Sequence, residues 1–191
     1  MKRSEFEKLL CTAGKLSPEK EFIVFGSQAL LGYMAKPPKD LLVSIELDLY
    51  PKHYPEAARL IEAELGRDSK FARKHAYYAD YVSPELSTWP DGWMERLIRF
   101  EKSGVVAWCA ELHDVAVSKL AAGRPKDVRY ILALLRHKLI AVKLLRERID
   151  LLPSESDQRR LHSGFDELLK EYRRRQRAKK VKPIQPLRRK K

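Results

Sequence analysis

Cysteine is almost missing from this chain. The two present in 191 residues, Cys11 and Cys109, are far apart and match neither a metal-ligand spacing nor a redox motif. A disulfide scaffold is therefore not expected, and a reducing, cytoplasmic setting is. Histidine is scarce too. His53, His75, His113, His137 and His162 are scattered, with no pair at helical ligand spacing, so histidine-bound zinc is not expected. No glycine-rich loop ends in Lys-Ser or Lys-Thr, which argues against a P-loop ATPase. No apolar run is long enough to span a bilayer, and the opening MKRSEFEKLL lacks the apolar centre of a signal segment. Internal repeats are absent.

Positive charge is plentiful, but it is not spread evenly. The formal net charge is +13. Residues 171–191 hold eleven Lys or Arg against the single acid Glu171, a net of +10, which leaves +3 for 1–170. Such a tail gains affinity for a polyanion by releasing condensed counterions. It has neither a lipidation signal nor an amphipathic apolar face, so RNA is the expected partner and a membrane is not. The plainer alternative is a disordered tail that aids solubility.

Pattern and punctuation divide the chain into an α/β front and a helical rear. Ser4 and Glu7 read as a capping box opening a short first helix. Strands are predicted at 21–25, 41–49, 75–83, 96–101 and 105–110. A helix at 55–65 ends at Gly66, and further helices are predicted at 112–122, 126–138, 140–150 and 155–176. The expected fold is α/β (α+β), a mixed sheet with flanking helices. Residues 1–110 are expected to form its core, 111–170 a helical region packed on that core, and 171–191 a basic, disordered tail. Trp89, Trp93 and Trp108 are read as core packing.

The chemistry-bearing residues begin at EFIVFGSQALLGYM, a buried strand running through a tight turn into a helix. Gly26 permits a sharp turn or close approach to a ligand. Ser27 can cap the following helix, whose N-terminus would welcome phosphate. In the next strand, LLVSIELDLYP, Glu46 and Asp48 are two apart and leave the same face. Paired acids on a covered strand repel unless a cation joins them. Val43, Ile45, Leu47 and Leu49 form the opposite face. Asp80, in YYADYV, is a third acid on a predicted strand. Downstream, the stripe Leu112, Val115, Ala116 places a lysine, Lys119, at its next apolar position, where a charge needs a partner or a cleft. Pro125 suits a first helical turn, and Asp127 favours that helix electrostatically.

Gly26-Ser27 followed by a strand with paired acids resembles the nucleotidyltransferase superfamily. The stretch LHDVAVSKLAAGRPKDVRYILALLRH resembles bacterial nucleotidyltransferases of the AbiEii toxin type, and Ser44, Glu46 and Asp48 match the S-x-E-x-D pattern of related uncharacterised domains. The resemblance covers roughly residues 20 to 140. It implies a nucleotidyltransferase fold and transfer of a nucleoside monophosphate from an NTP to a hydroxyl. It also implies Mg²⁺ held by Glu46, Asp48 and Asp80, with Asp80 also able to act as base. Gly26, Ser27, Lys119, Arg124, Lys126 and Asp127 are the implied nucleotide-binding residues. The 3′ end of a transfer RNA is one implied acceptor, in a toxin–antitoxin or phage-defence setting with an antitoxin partner; a protein hydroxyl, giving an AMPylating enzyme, is another. Two features depart from the pattern: Glu46 stands where the superfamily usually has Asp, and eighteen residues separate Ser27 from Glu46. They favour a different class, a non-catalytic RNA-binding or toxin–antitoxin partner module on the same fold.

Overall fold

The computed structural model describes residues 1–180. The end of the basic tail, with Lys182, Pro183, Pro186 and Arg188 to Lys191, lies outside the described residues. Five strands form one mixed sheet, β1 (Glu21–Phe25), β2 (Glu46–Pro51), β3 (Tyr78–Tyr81), β4 (Ile98–Lys102) and β5 (Val105–Cys109), in the order β3-β2-β1-β5-β4. The central strand β1 pairs antiparallel with β2 and parallel with β5. Its run Phe22 to Phe25 is wholly buried, as an unbroken apolar strand covered on both faces should be. β2 and β3 are parallel, while β4 and β5 form a hairpin. Its two-residue turn, Ser103-Gly104, has positive φ at both positions (52° and 76°), the twist-matched geometry for such a turn.

The helices are α1 (Arg3–Leu16), α2 (Ala57–Leu65), α3 (Lys70–His75), α4 (Leu112–Ala122), α5 (Pro125–Arg136), α6 (Val142–Asp150) and α7 (Glu155–Lys180). α2 packs against β2 and β3, and α1 against β5. α4 is the hub of the rear, touching α5, α6 and α7. One continuous cluster of buried apolar side chains runs from Phe6 through Leu30 and Leu47 to Leu134 and Phe165, so the core does not break at residue 110. On α4, Asp114 is buried between Arg96 (Nε to Oδ2, 2.8 Å) and Arg148 (Nε to Oδ1, 3.3 Å), fastening the rear helices to the loop before β4.

Several sequence-based expectations are corrected. α1 starts at Arg3, so Ser4 lies inside it; the Glu5 carboxylate accepts from the Lys2 N–H (2.6 Å), and Glu7 pairs with Arg3 instead of closing a box with Ser4. The strand predicted from 41 begins only at Glu46. The strand predicted from 75 begins at Tyr78, because Ser69 caps the Ala72 N–H (3.0 Å) and starts the short helix α3. α7 continues to Lys180, four residues past the helix end expected at 176, and so runs through residues 171–180 of the basic end.

Candidate active site

β1 ends at Phe25 and leads into Gly26, whose φ of +68° is the left-handed conformation that glycine tolerates. The register places Phe25 opposite Asp48, which brings the Asp48 carboxylate against the turn. A Cβ at position 26 would lie 1.7 Å from Asp48 Oδ2, so glycine is required by close approach as well as by φ. The chain then winds through a 3₁₀ segment, Gly26–Gly32, where an α-helix was expected. The Ser27 side chain caps nothing there; its carbonyl instead accepts the Tyr130 hydroxyl of α5 at 2.9 Å.

Glu46 and Asp48 leave β2 on one face, while Leu47 and Leu49 are buried on the other. Parallel pairing sets Asp48 directly beside Asp80 of β3, and Glu46 beside Tyr78. Among the described residues, neither Asp48 nor Asp80 has a hydrogen bond or close ion pair. Burial, with Glu46 adding and Lys119 opposing, pushes the Asp48 carboxyl up to about 7. Burial and then Glu46 also raise Asp80. Glu46 moves the other way. Burial alone would raise it, but Lys126 (3.4 Å), the Tyr78 hydroxyl (3.1 Å) and Ser44 together hold it below the usual range. Arg67 in turn donates to the Tyr78 hydroxyl at 3.1 Å.

Lys119 points inward as its stripe position predicts, with 13% of its side chain exposed. The partner its charge needs is Asp127, 3.1 Å away, and its ammonium lies 4.9 Å from the centre of the Tyr130 ring. Asp127 is 0% exposed; its other oxygen takes Arg124 Nε at 2.6 Å. Burial opposes this carboxylate, yet Arg124 and Lys119 hold it ionised below its ordinary value. Asp127 therefore acts on the cleft through two cations. With both oxygens committed, its bearing on a phosphate would run through Lys119 and Arg124.

All nine residues singled out from the sequence, Gly26, Ser27, Glu46, Asp48, Asp80, Lys119, Arg124, Lys126 and Asp127, line one cleft of about 1220 Å³. Glu46, Asp48 and Asp80 stand on its sheet side, and Lys119, Arg124 and Lys126 on its helical side. Carboxylate oxygens without a protein donor, at Asp48 and Asp80, are the ligand type a hard dication takes. Among the described residues, however, no three acidic, His or Cys side chains stand close enough to share one ion, and Glu46 is held by Lys126 and Tyr78.

Sequence reasoning missed Tyr130, Tyr78, Arg67 and Trp89. Tyr78 could have been found, since it shares a strand face with Asp80 at period two. Tyr130 sits three and four positions beyond Asp127 and Lys126 on one helix face. Trp89 was assigned to core packing; it stacks on Trp93 (centroids 4.4 Å apart) and also lines the cleft. Arg67 carries no local signal.

The paired acids of β2 and the lysine of α4 thus share one cleft at the edge of a mixed sheet. The family model described as a nucleotidyltransferase of unknown function (DUF6036) matches residues 4–177, and the chain belongs to that family. No curated protein and no solved structure matches the chain. Among the described residues, no helix is long and apolar enough to cross a membrane.

Proposed function

We propose that the protein transfers a nucleoside monophosphate from an NTP to a hydroxyl acceptor, releasing pyrophosphate. The observation that carries this reading is the single cleft in which two unpartnered carboxylates, Asp48 and Asp80, face Lys119, Arg124 and Lys126. Asp48 and Asp80, joined by Glu46 if it releases Lys126 and Tyr78, are the residues that would hold Mg²⁺, whose chemistry is to neutralise phosphate charge and stabilise the transition state. Lys119 and Arg124, kept in place by Asp127, neutralise the triphosphate. Gly26 lets the backbone pass close to Asp48 and leaves room for the nucleotide beside it. Asp80, raised by burial, accepts the proton of the attacking hydroxyl as its oxygen bonds the α-phosphorus and the bond to pyrophosphate breaks. The cleft exceeds the roughly 300–1,000 Å³ of ordinary ligand pockets, which leaves space for an acceptor end beside the nucleotide.

The acceptor is a polynucleotide end, such as that of a transfer RNA, on the strength of the +10 carried by 171–191. The antitoxin partner and the toxin or defence setting rest on resemblance alone, as does a protein acceptor. The test is incubation with each α-labelled NTP, Mg²⁺ and either total RNA or cell protein. Label is expected in RNA, and Asp48→Asn should abolish it while the fold persists. Full transfer by Asp48→Asn would remove the metal-site assignment, and label in protein alone would favour AMPylation. A second reading, a binding module without turnover, is favoured by the engagement of Glu46 with Lys126 and Tyr78. It predicts nucleotide binding with no labelled product in any arm.

A further inference from the structure

A second cavity, of about 390 Å³, lies beside the cleft and shares Trp89 with it. It is lined by the stacked pair Trp89 and Trp93 and by Pro84, Leu152 and Pro153. Hydrogen bonds fasten these pieces into one groove. The Pro84 carbonyl accepts the Trp89 indole N–H at 3.0 Å. The Leu151 carbonyl accepts the Asp91 N–H at 2.8 Å, which ties the tryptophan segment to the turn between α6 and α7. Among the described residues, nothing accepts the Trp93 indole N–H. Two acids complete the lining. Glu85 is exposed and has no hydrogen bond or ion pair among the described residues, and Asp157 pairs with Arg160 at 2.6 Å.

Aromatic-lined grooves receive proline-rich segments in the polyproline II form, which loses little entropy on docking. That form has three residues per turn, so prolines three apart share a face. Its carbonyls make no internal hydrogen bonds and are free for a donor such as the Trp93 indole. Prolines three apart occur once in this sequence, in Lys182-Pro183-Ile184-Gln185-Pro186-Leu187-Arg188, with basic residues on both sides. We propose that the Trp89–Trp93 groove receives Pro183 and Pro186 of a second copy of this chain, with the basic flanks set toward Glu85 and Asp157. The prolines of the same copy do not reach it. Asp157 stands in the first turn of α7, and from there to Lys180 the helix runs roughly 35 Å at about 1.5 Å per residue. Pro183 is only about 11 Å beyond Lys180 at full extension. Two copies with antiparallel α7 helices bring each groove to the other's prolines, so both grooves fill and the assembly closes as a two-fold pair. Trp89 borders both volumes, so a filled groove also steadies one wall of the cleft.

The test has two arms, both near physiological ionic strength, where exposed charges more than about 8 Å apart are screened. In the first, a peptide of residues 181–191 is titrated into the full chain carrying Pro183→Ala and Pro186→Ala, whose own tail then does not compete. The peptide should bind about tenfold more tightly than one of equal charge with alanine at both proline positions, since two ring contacts have an effect of that size. Trp93→Phe keeps an aromatic ring and removes the donor; Glu85→Lys reverses an exposed charge. Each should weaken the peptide about fivefold. In the second arm, sedimentation of the full chain over a range of concentrations should show monomer and dimer in equilibrium, shifted to monomer by the two alanines. Equal binding of the two peptides, or of neither, overturns the groove. Proline-dependent binding untouched by both Trp93→Phe and Glu85→Lys overturns its location. A full chain that stays monomeric, or a dimer that the alanines leave intact, overturns the exchange between copies.

Discussion

Gly26 and Asp48 are held so closely that each limits what the other can be. Alanine at 26 would meet the Asp48 carboxylate and a left-handed φ together. Gly26→Ala should therefore cost about 2 kcal/mol and displace Asp48. Urea unfolding and a transfer assay check this; wild-type stability and turnover would show that the turn has slack. Asp127 makes the opposite kind of contribution. It is a fully buried carboxylate held ionised by Arg124 and Lys119. Asp127→Asn should cost about 3 kcal/mol at pH 7 by leaving Lys119 enclosed without a counter-charge. A depressed folded-state value means that this stability is present above the ordinary carboxyl value of 3.8 and lost as pH falls through the lowered one. The gap between wild type and variant should thus narrow below pH 3.8, and a gap constant with pH would contradict the pairing.

At the scale of elements, most of the sheet was legible because its strands announce themselves chemically. EFIVF is bounded and apolar, ELDLYP alternates, and the β4–β5 pair is marked by Ser103-Gly104 between two runs. The beginning of β2 was not legible. Val43 and Ile45 continue the alternation of Leu47 and Leu49, yet they are exposed at the cleft while those two are buried. Periodicity records spacing and cannot tell a sheet core from an apolar wall. The acid pair and Lys119 were legible because charge on a covered strand or an inward stripe demands a reason. Tyr130's latch on Ser27 was not, since it joins residues 103 apart in the chain that only the tertiary fold brings together. The long connection from Ser27 to Glu46 depends on Asp40, which pairs with Arg136 and with His137 (2.9 Å) at the end of α5. Asp40→Ala should speed amide hydrogen exchange over residues 39–45 with little change in global melting, because exposed ion pairs contribute only about 0–1 kcal/mol each. Unchanged exchange there would mean that Leu41, buried in the core, alone fixes the connection.

Taken as a whole molecule, the chain joins a nearly balanced body to a basic end that starts on α7. Arg173, Arg174 and Arg177 are exposed on its last turns. Replacing all three with Gln keeps helix propensity and removes three charges. If they touch RNA phosphates, affinity should fall at low salt, and the log–log salt slope should flatten by roughly 0.7 to 0.9 for each phosphate no longer neutralised. Binding isotherms at several salt concentrations for both proteins decide it. Coincident slopes would assign the basic end to solubility and withdraw the charge-based case for an RNA acceptor.

The position of β1 has a consequence for how the protein is made. Its parallel neighbour β5, through pairs such as Phe22 with Ala107, is synthesised long after it. A chain emerging from the ribosome can pair β1 with β2 and β2 with β3. It must nevertheless carry the Phe22–Phe25 strand with one open edge until Val105–Cys109 appears. Nascent chains halted before Ile98 should therefore remain protease-sensitive and engage chaperones, while chains extended through α7 should be resistant. The strand that organises the finished cleft is, during synthesis, the segment most in need of protection.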